Sequence, residues 1–109
     1  DAGFGVVDAR NAGEVFEAHA RVMDAHGMAP HRLNACGYSL GAKFTPSWMD
    51  NPMFYRDNPT LIGPGMVFFA HMILMNSDAG AAYCLGRTYI IGDKGPEPVS
   101  RFPLEMITR

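Results

Sequence analysis

The sequence predicts an α+β domain in which one helix is followed by strands that pair, in chain order, into a mostly antiparallel sheet. Three observations predict it. Apolar residues recur at three- and four-residue steps over residues 14–26, the mark of one helical face. Beyond them, short apolar runs alternate with turn signals, the tightest being Gly92-Asp93-Lys94-Gly95. Twelve glycines and eight prolines in 109 residues are too many for a helical bundle and suit strands joined by punctuated loops.

Residues 1–10 read as a glycine-bearing lead-in. Asn11 is placed to cap the helix, and Glu14 stands three residues later, as a capping box prefers. Val15, Phe16, His19, Val22 and Met23 form the inward face, while Glu17 and Arg21 are spaced for an i,i+4 pair on the outer one. Gly27 is the expected residue just past the end, with Pro30 soon after. Arg32–Leu40 reads as a short strand. Residues 43–60 carry Pro46, Pro52 and Pro59, each incompatible with a central strand, and so read as a long loop bearing Phe44, Trp48, Phe54 and Tyr55. Those aromatics either anchor the loop to the core or serve function. Gly63-Pro64-Gly65 is a turn. Met66–Met75 is a strand apolar on both faces, and hence expected to be covered on both. Asn76–Gly80 is a turn by composition, Tyr83–Ile91 a further strand, and Glu97–Ser100 a last short one.

The length allows one domain or part of one, at roughly 150 residues per domain. Apolar residues make up 48% of the chain and charged residues 18%, a balance that folds rather than stays disordered. Nine basic residues against eleven acidic ones give a net charge of −2, which excludes a strongly electrostatic nucleic-acid or membrane-surface binder. No run reaches the ~18 apolar residues of a membrane span. The amino end has neither a charged nor an apolar leader segment, so no signal peptide is expected. Cys36 and Cys84 then read as reduced thiols of a cytoplasmic protein rather than as a disulfide. Eight methionines read as flexible core filling.

Nucleotide-loop, nucleophile-elbow, zincin and paired-cysteine signatures are all missing. His19 and His26 are seven apart, too far for one metal ion, and read as surface or boundary histidines. His71 stands out. It interrupts an apolar strand and must find a hydrogen-bond partner there. Arg87 has a similar setting in the next strand, and the two can line a pocket or sit as a satisfied core histidine and an edge arginine.

From Gly37 onward the order of signals resembles the carboxyl-terminal half of the pita-bread fold shared by methionine aminopeptidase, aminopeptidase P, prolidase and creatinase. Gly37-Tyr38-Ser39-Leu40-Gly41 lies where those enzymes have G-H-G-I-G, and Pro64-Gly65-Met66-Val67-Phe68 is similar to their P-G-M-V-F strand opening. Leu85–Ile91 resembles their R-I-E-D-T-V strand, and Gly92–Glu97 their closing turn. The helix over 12–27 looks like the one preceding the first motif. The resemblance implies half of a pita-bread domain: one helix, then a curved, mostly antiparallel sheet.

The resemblance also implies a changed site. Family members bind two metal ions through two Asp, one His and two Glu. Tyr38 stands at the His position, His71 at the first Glu and Gly86 at the second, while Thr45 stands at a second, proton-donating His. The two Asp belong to an earlier half. No cofactor is therefore expected of this chain. Its G-Y-S-L-G motif is similar to that of the ectoine-hydrolase branch, and dimethylsulfoniopropionate lyases are a further related branch. The implied activity is hydrolysis of a small amide, amidine or zwitterion, less readily a lyase reaction. His71 would be the general acid or base and Tyr38 an oxyanion donor. Arg87 would hold a carboxylate, Trp48 and Phe54 would pack on a ring or cation, and Asp50 would pair with such a cation. The alternatives are a non-catalytic binding descendant and an assembly module whose aromatic loop makes an interface. Half a domain leaves an open sheet edge and an uncovered apolar face, which calls for a homodimer or for the rest of a longer chain. The missing initiator Met before Asp1 favours the longer chain.

Overall fold

Asn11 opens the helix. In the computed structural model its side-chain oxygen accepts from the Glu14 N–H at 2.9 Å, and Glu14 Oε2 accepts in return from the Arg10 N–H at 2.6 Å. The structure describes residues 10–41 and 46–105. The lead-in, Lys43, Phe44 and Thr45 lie outside the described residues. Helix α1 runs Ala12–Ala25. It ends in a Schellman turn: Met28 N–H donates to Met23 O at 2.9 Å and Gly27 N–H to Asp24 O at 3.1 Å, with Gly27 at φ +73°. The two amides at its start donate outward, Ala12 to Thr60 O and Gly13 to Asn58 O, each at 2.9 Å. This docking is why position 13 is glycine. A Cβ there would meet Asn58 N at 2.8 Å.

Five strands follow: β1 (Ala35–Ser39), β2 (Asp50–Tyr55), β3 (Val67–Asn76), β4 (Ala81–Gly92) and β5 (Gly95–Pro98). They form one antiparallel sheet in the order β2-β1-β3-β4-β5. The β3–β4 hairpin keeps an unbroken register from Val67↔Ile90 to Asn76↔Ala81. Its turn places Gly80 at φ +64°, and the β4–β5 turn places Gly95 at φ +124°.

The stretch 43–60 is not all loop. Its middle forms β2, and β2 is an edge strand, the place where a proline's missing N–H leaves no ladder bond broken. The Asn51–Pro52 peptide is cis. Among the described residues, strand β3 is well covered on one face only. Phe68, Ala70 and Met72 are buried, while Val67, Phe69, His71 and Ile73 on the other face are half-buried. Its apolar residues exceed what the described residues cover.

The core lies on the first of these faces. Phe16 of α1, Cys36, Phe54, Phe68 and Met72 pack there, with the Phe54 and Phe68 rings 4.8 Å apart. Phe16 and Phe68, almost wholly buried, each contribute about 2–3 kcal/mol by burial. Two further expectations change on this side. His19 is not a surface or boundary histidine but 1% exposed, on the same helix face as Phe16. Glu17 reaches Arg56 at 3.3 Å, a residue of the loop after β2, rather than pairing along the helix with Arg21. The helix covers the β1–β2 end of the sheet. Toward β4 and β5 the same face borders a cavity of about 370 Å³ between Val15, Phe68, Tyr89 and Ile91.

Candidate functional site

The opposite face of the sheet carries the chemistry. Tyr38 stands opposite Phe69 across β1–β3, His71 opposite Gly86 and Ile73 opposite Cys84 across β3–β4. Directly paired residues share a face, so Tyr38, Phe69, His71, Cys84 and Gly86 form one neighbourhood. The Tyr38 ring meets His71 edge-on with centroids 6.4 Å apart, and Phe69 lies 5.0 Å from His71. Tyr38 is buried, and its Oη accepts from Trp48 Nε1 at 3.1 Å, a bond that does not use the hydroxyl's own proton. A cavity of about 340 Å³ opens beside them, lined by Tyr38, Met49, Met53, His71 and Ile73.

Phe69 also explains Gly86. A Cβ at position 86 would sit 2.5 Å from Phe69 Cζ, so the phenyl ring fills the space that any side chain there would take.

The structure brings together three of the residues singled out from sequence, Tyr38, His71 and Trp48, and separates the others. Arg87 stands opposite Ala70, on the face away from His71, and its guanidinium donates to Phe102 O. The expected pocket of His71 with Arg87 therefore does not form, because neighbouring strand positions point to opposite faces. Phe54 is 5% exposed in the core and does not reach the Tyr38 face. Trp48 is 66% exposed and linked to the site through the Tyr38 hydroxyl. Asp50 begins β2 opposite Ser39, and its Oδ1 accepts from the Asn51 N–H at 2.8 Å.

Cys84 was not singled out by sequence reasoning. Its Sγ lies 2.9 Å from His71 Nε2. The signal was available, since residues 71 and 84 fall two positions apart on one face once the Asn76–Gly80 turn fixes the hairpin register. The two thiols differ sharply. Cys36 is fully buried and its pKa is pushed up to about 12 by desolvation, whereas Cys84 is exposed. Both are free. Among the described residues, no three His, Cys, Asp or Glu side chains gather where they can hold a metal ion.

Comparisons with known proteins bear on the fold. No protein-family model matches the chain. A curated relative from Sinorhizobium fredii, described as the uncharacterized hydrolase/peptidase y4tM, is 27% identical over 93 residues, covering 84% of this chain and 23% of that protein. Among solved structures, a prolidase from Thermococcus sibiricus superposes with a TM-score of 0.83 at 18% identity, over 99% of this chain and 28% of its own. The dipeptidase PepE from Mycobacterium ulcerans gives 0.81 at 18% identity, over 97% of this chain and 28% of its own. The Xaa-Pro dipeptidase from Bacillus anthracis gives 0.80 at 16% identity, over 97% of this chain and 29% of its own. The chain thus has the fold of one part of the pita-bread domain, and spans 28% of the prolidase and dipeptidase chains it matches. No described helix is long and apolar enough to cross a membrane.

Proposed function

We propose that this chain supplies one half of the active site of a hydrolase of the Xaa-Pro peptidase, creatinase and ectoine-hydrolase type, acting on a small amide, amidine or zwitterion without the family's metal pair. One observation carries the reading: His71 and Tyr38 stand edge to face on the wall of a cavity of about 340 Å³, on the sheet face opposite the core. His71 brings an imidazole able to take and return a proton. Tyr38 brings a hydroxyl that accepts from Trp48 and donates to a developing oxyanion. Trp48 donates to that hydroxyl and so orients it.

The three positions that the resemblance assigns to metal ligands do not fit a metal pair. They hold a Tyr, a His and a Gly, and at Gly86 the Phe69 ring occupies the ligand's space. No step is therefore routed through a metal. The other half of the site comes from the rest of a longer chain or from a second copy of this one, in a cytoplasmic setting that keeps both thiols reduced.

The test is turnover by the full-length protein of Xaa-Pro dipeptides and a cyclic amidine, with and without EDTA. Hydrolysis that survives EDTA and is lost in His71→Ala supports the reading. Hydrolysis abolished by EDTA and restored by a divalent metal overturns its metal-free part. Hydrolysis unchanged in His71→Ala removes His71 as the base.

A further inference from the structure

The Nε2 of His71 faces a sulfur. Cys84 Sγ lies 2.9 Å from it, across the β3–β4 ladder at the diagonal position where two side chains of one face meet. A thiol beside an imidazole has a base in contact with its proton, and the thiolate, not the thiol, is the nucleophile. Three further features make this more than a chance contact. The pair sits on the sheet face that carries the cavity, with Cys84 exposed among the described residues. His71 lines the cavity proposed for substrate, so the base that touches the thiol also touches the substrate volume. Two rings pack against the imidazole, Phe69 at 5.0 Å and Tyr38 at 6.4 Å between centroids.

We propose that Cys84 and His71 form a nucleophilic thiol–imidazole dyad that attacks the carbonyl carbon of a small amide. The proposal deepens the hydrolase reading above and rests on it for the substrate class. The Cys84 proton passes to His71 Nε2, and the thiolate forms a C–S bond at the carbonyl carbon. The carbonyl oxygen gains negative charge and accepts from Tyr38. As the C–N bond breaks, the imidazolium returns its proton to the amine, which leaves. Water then gives a proton to His71 while its oxygen attacks the thioester. The C–S bond breaks, the carboxylic acid departs and the proton returns to sulfur. One water is consumed, one amide becomes one acid and one amine, and nothing is oxidised or reduced. The dyad explains how a site with a Tyr, a His and a Gly in place of metal ligands can still cleave an amide, because the thiol replaces the metal-bound water.

The test uses the full-length protein and two probes that need no knowledge of the substrate. Alkylation by iodoacetamide, located by peptide mapping, is expected at Cys84. It should slow at least fivefold in His71→Gln and stay unchanged in Cys36→Ala. p-Nitrophenyl acetate is expected to leave one acetyl group on Cys84, absent in Cys84→Ser. An alkylation rate indifferent to His71→Gln, or an acetyl group found elsewhere, overturns the dyad. The amide panel separates the two readings. Amide hydrolysis that persists in Cys84→Ser overturns the dyad and leaves the hydrolase intact. A reactive, acetylated Cys84 with no turnover of any amide supports the dyad and overturns the hydrolase.

Discussion

The Phe69 ring lies over Gly86, with its Cζ 2.5 Å from where a Cβ would be. The two residues stand on neighbouring strands, one rung out of line, since Phe69 pairs with Thr88 and Gly86 with His71. The glycine is therefore a packing requirement of the candidate site. Phe69 also presses against His71 and Tyr38, so whatever moves the ring moves both.

It follows that Gly86→Ala costs about 1–3 kcal/mol of stability, the usual penalty of overpacking. In a Phe69→Ala background the same change should cost much less, because the clashing ring is gone. Urea denaturation of the four proteins closes the cycle, and a coupling below about 0.5 kcal/mol would show that the ring yields without strain.

Much of this was legible in the sequence. Asn11, Glu14 and Gly27 bracket the helix because capping is local chemistry, settled by residues three or four apart. The hairpin turns were legible for the same reason. What was not legible depends on which residues meet across strands. The prolines of residues 46–59 argue against a central strand, and only the sheet order shows that β2 lies at an edge. His71 and Arg87 look alike in sequence, as polar residues in apolar strands. Register puts Arg87 opposite Ala70 and turns it to the other face. The same register brings Cys84 to His71, a contact that can be read only once the Asn76–Gly80 turn is counted into the hairpin pairing.

The facing of Arg87 has a kinetic consequence. Arg87→Gln should leave KM for any small substrate within about twofold, while lowering stability by about 0.5–1.5 kcal/mol through the lost hydrogen bond to the carbonyl of the exposed Phe102. His71→Gln should do the reverse, with stability nearly kept and kcat lost. Steady-state kinetics beside thermal melts of both variants check this. A large KM effect in Arg87→Gln would place the guanidinium in the substrate site after all.

His19 makes stability fall on acidification. Burial holds its imidazole below the ordinary value of 6.5, the Arg32 guanidinium adds to this, and Asp24 opposes it. The unfolded chain therefore takes up its proton first as pH falls. Stability is fully present above about pH 6.5 and declines below it until the folded imidazole titrates as well. His19→Leu removes the titrating group and the Nδ1 that lacks a hydrogen-bond partner among the described residues, so its decline between pH 7 and 5 should be shallower than that of the parent. Urea midpoints across that range measure it, and parallel declines would assign the acid sensitivity to other groups.

Asn58 holds the helix to the loop that follows β2. It is 3% exposed and has almost every polar group engaged. Its Nδ2 donates to Met53 O at 2.7 Å, and its Oδ1 accepts from Thr60 N–H at 3.1 Å and Thr60 Oγ1 at 2.8 Å. Its own carbonyl accepts from Gly13 N–H at 2.9 Å. Asn58→Ala removes the side-chain bonds and strands the Met53 carbonyl and the Thr60 N–H, each in a part-buried setting, at a cost of about 1–3 kcal/mol per unsatisfied group. Asn58→Asp keeps the acceptor and loses the donor, so it should fall between the parent and Asn58→Ala. Because Met53 lines the Tyr38–His71 cavity, the loosening should also appear there, as a change in the fluorescence of Trp48, the chain's one tryptophan. Lost stability with unchanged Trp48 emission would confine the role of Asn58 to the helix contact. Loss of both would make the Asn58 loop the joint through which the core positions the site.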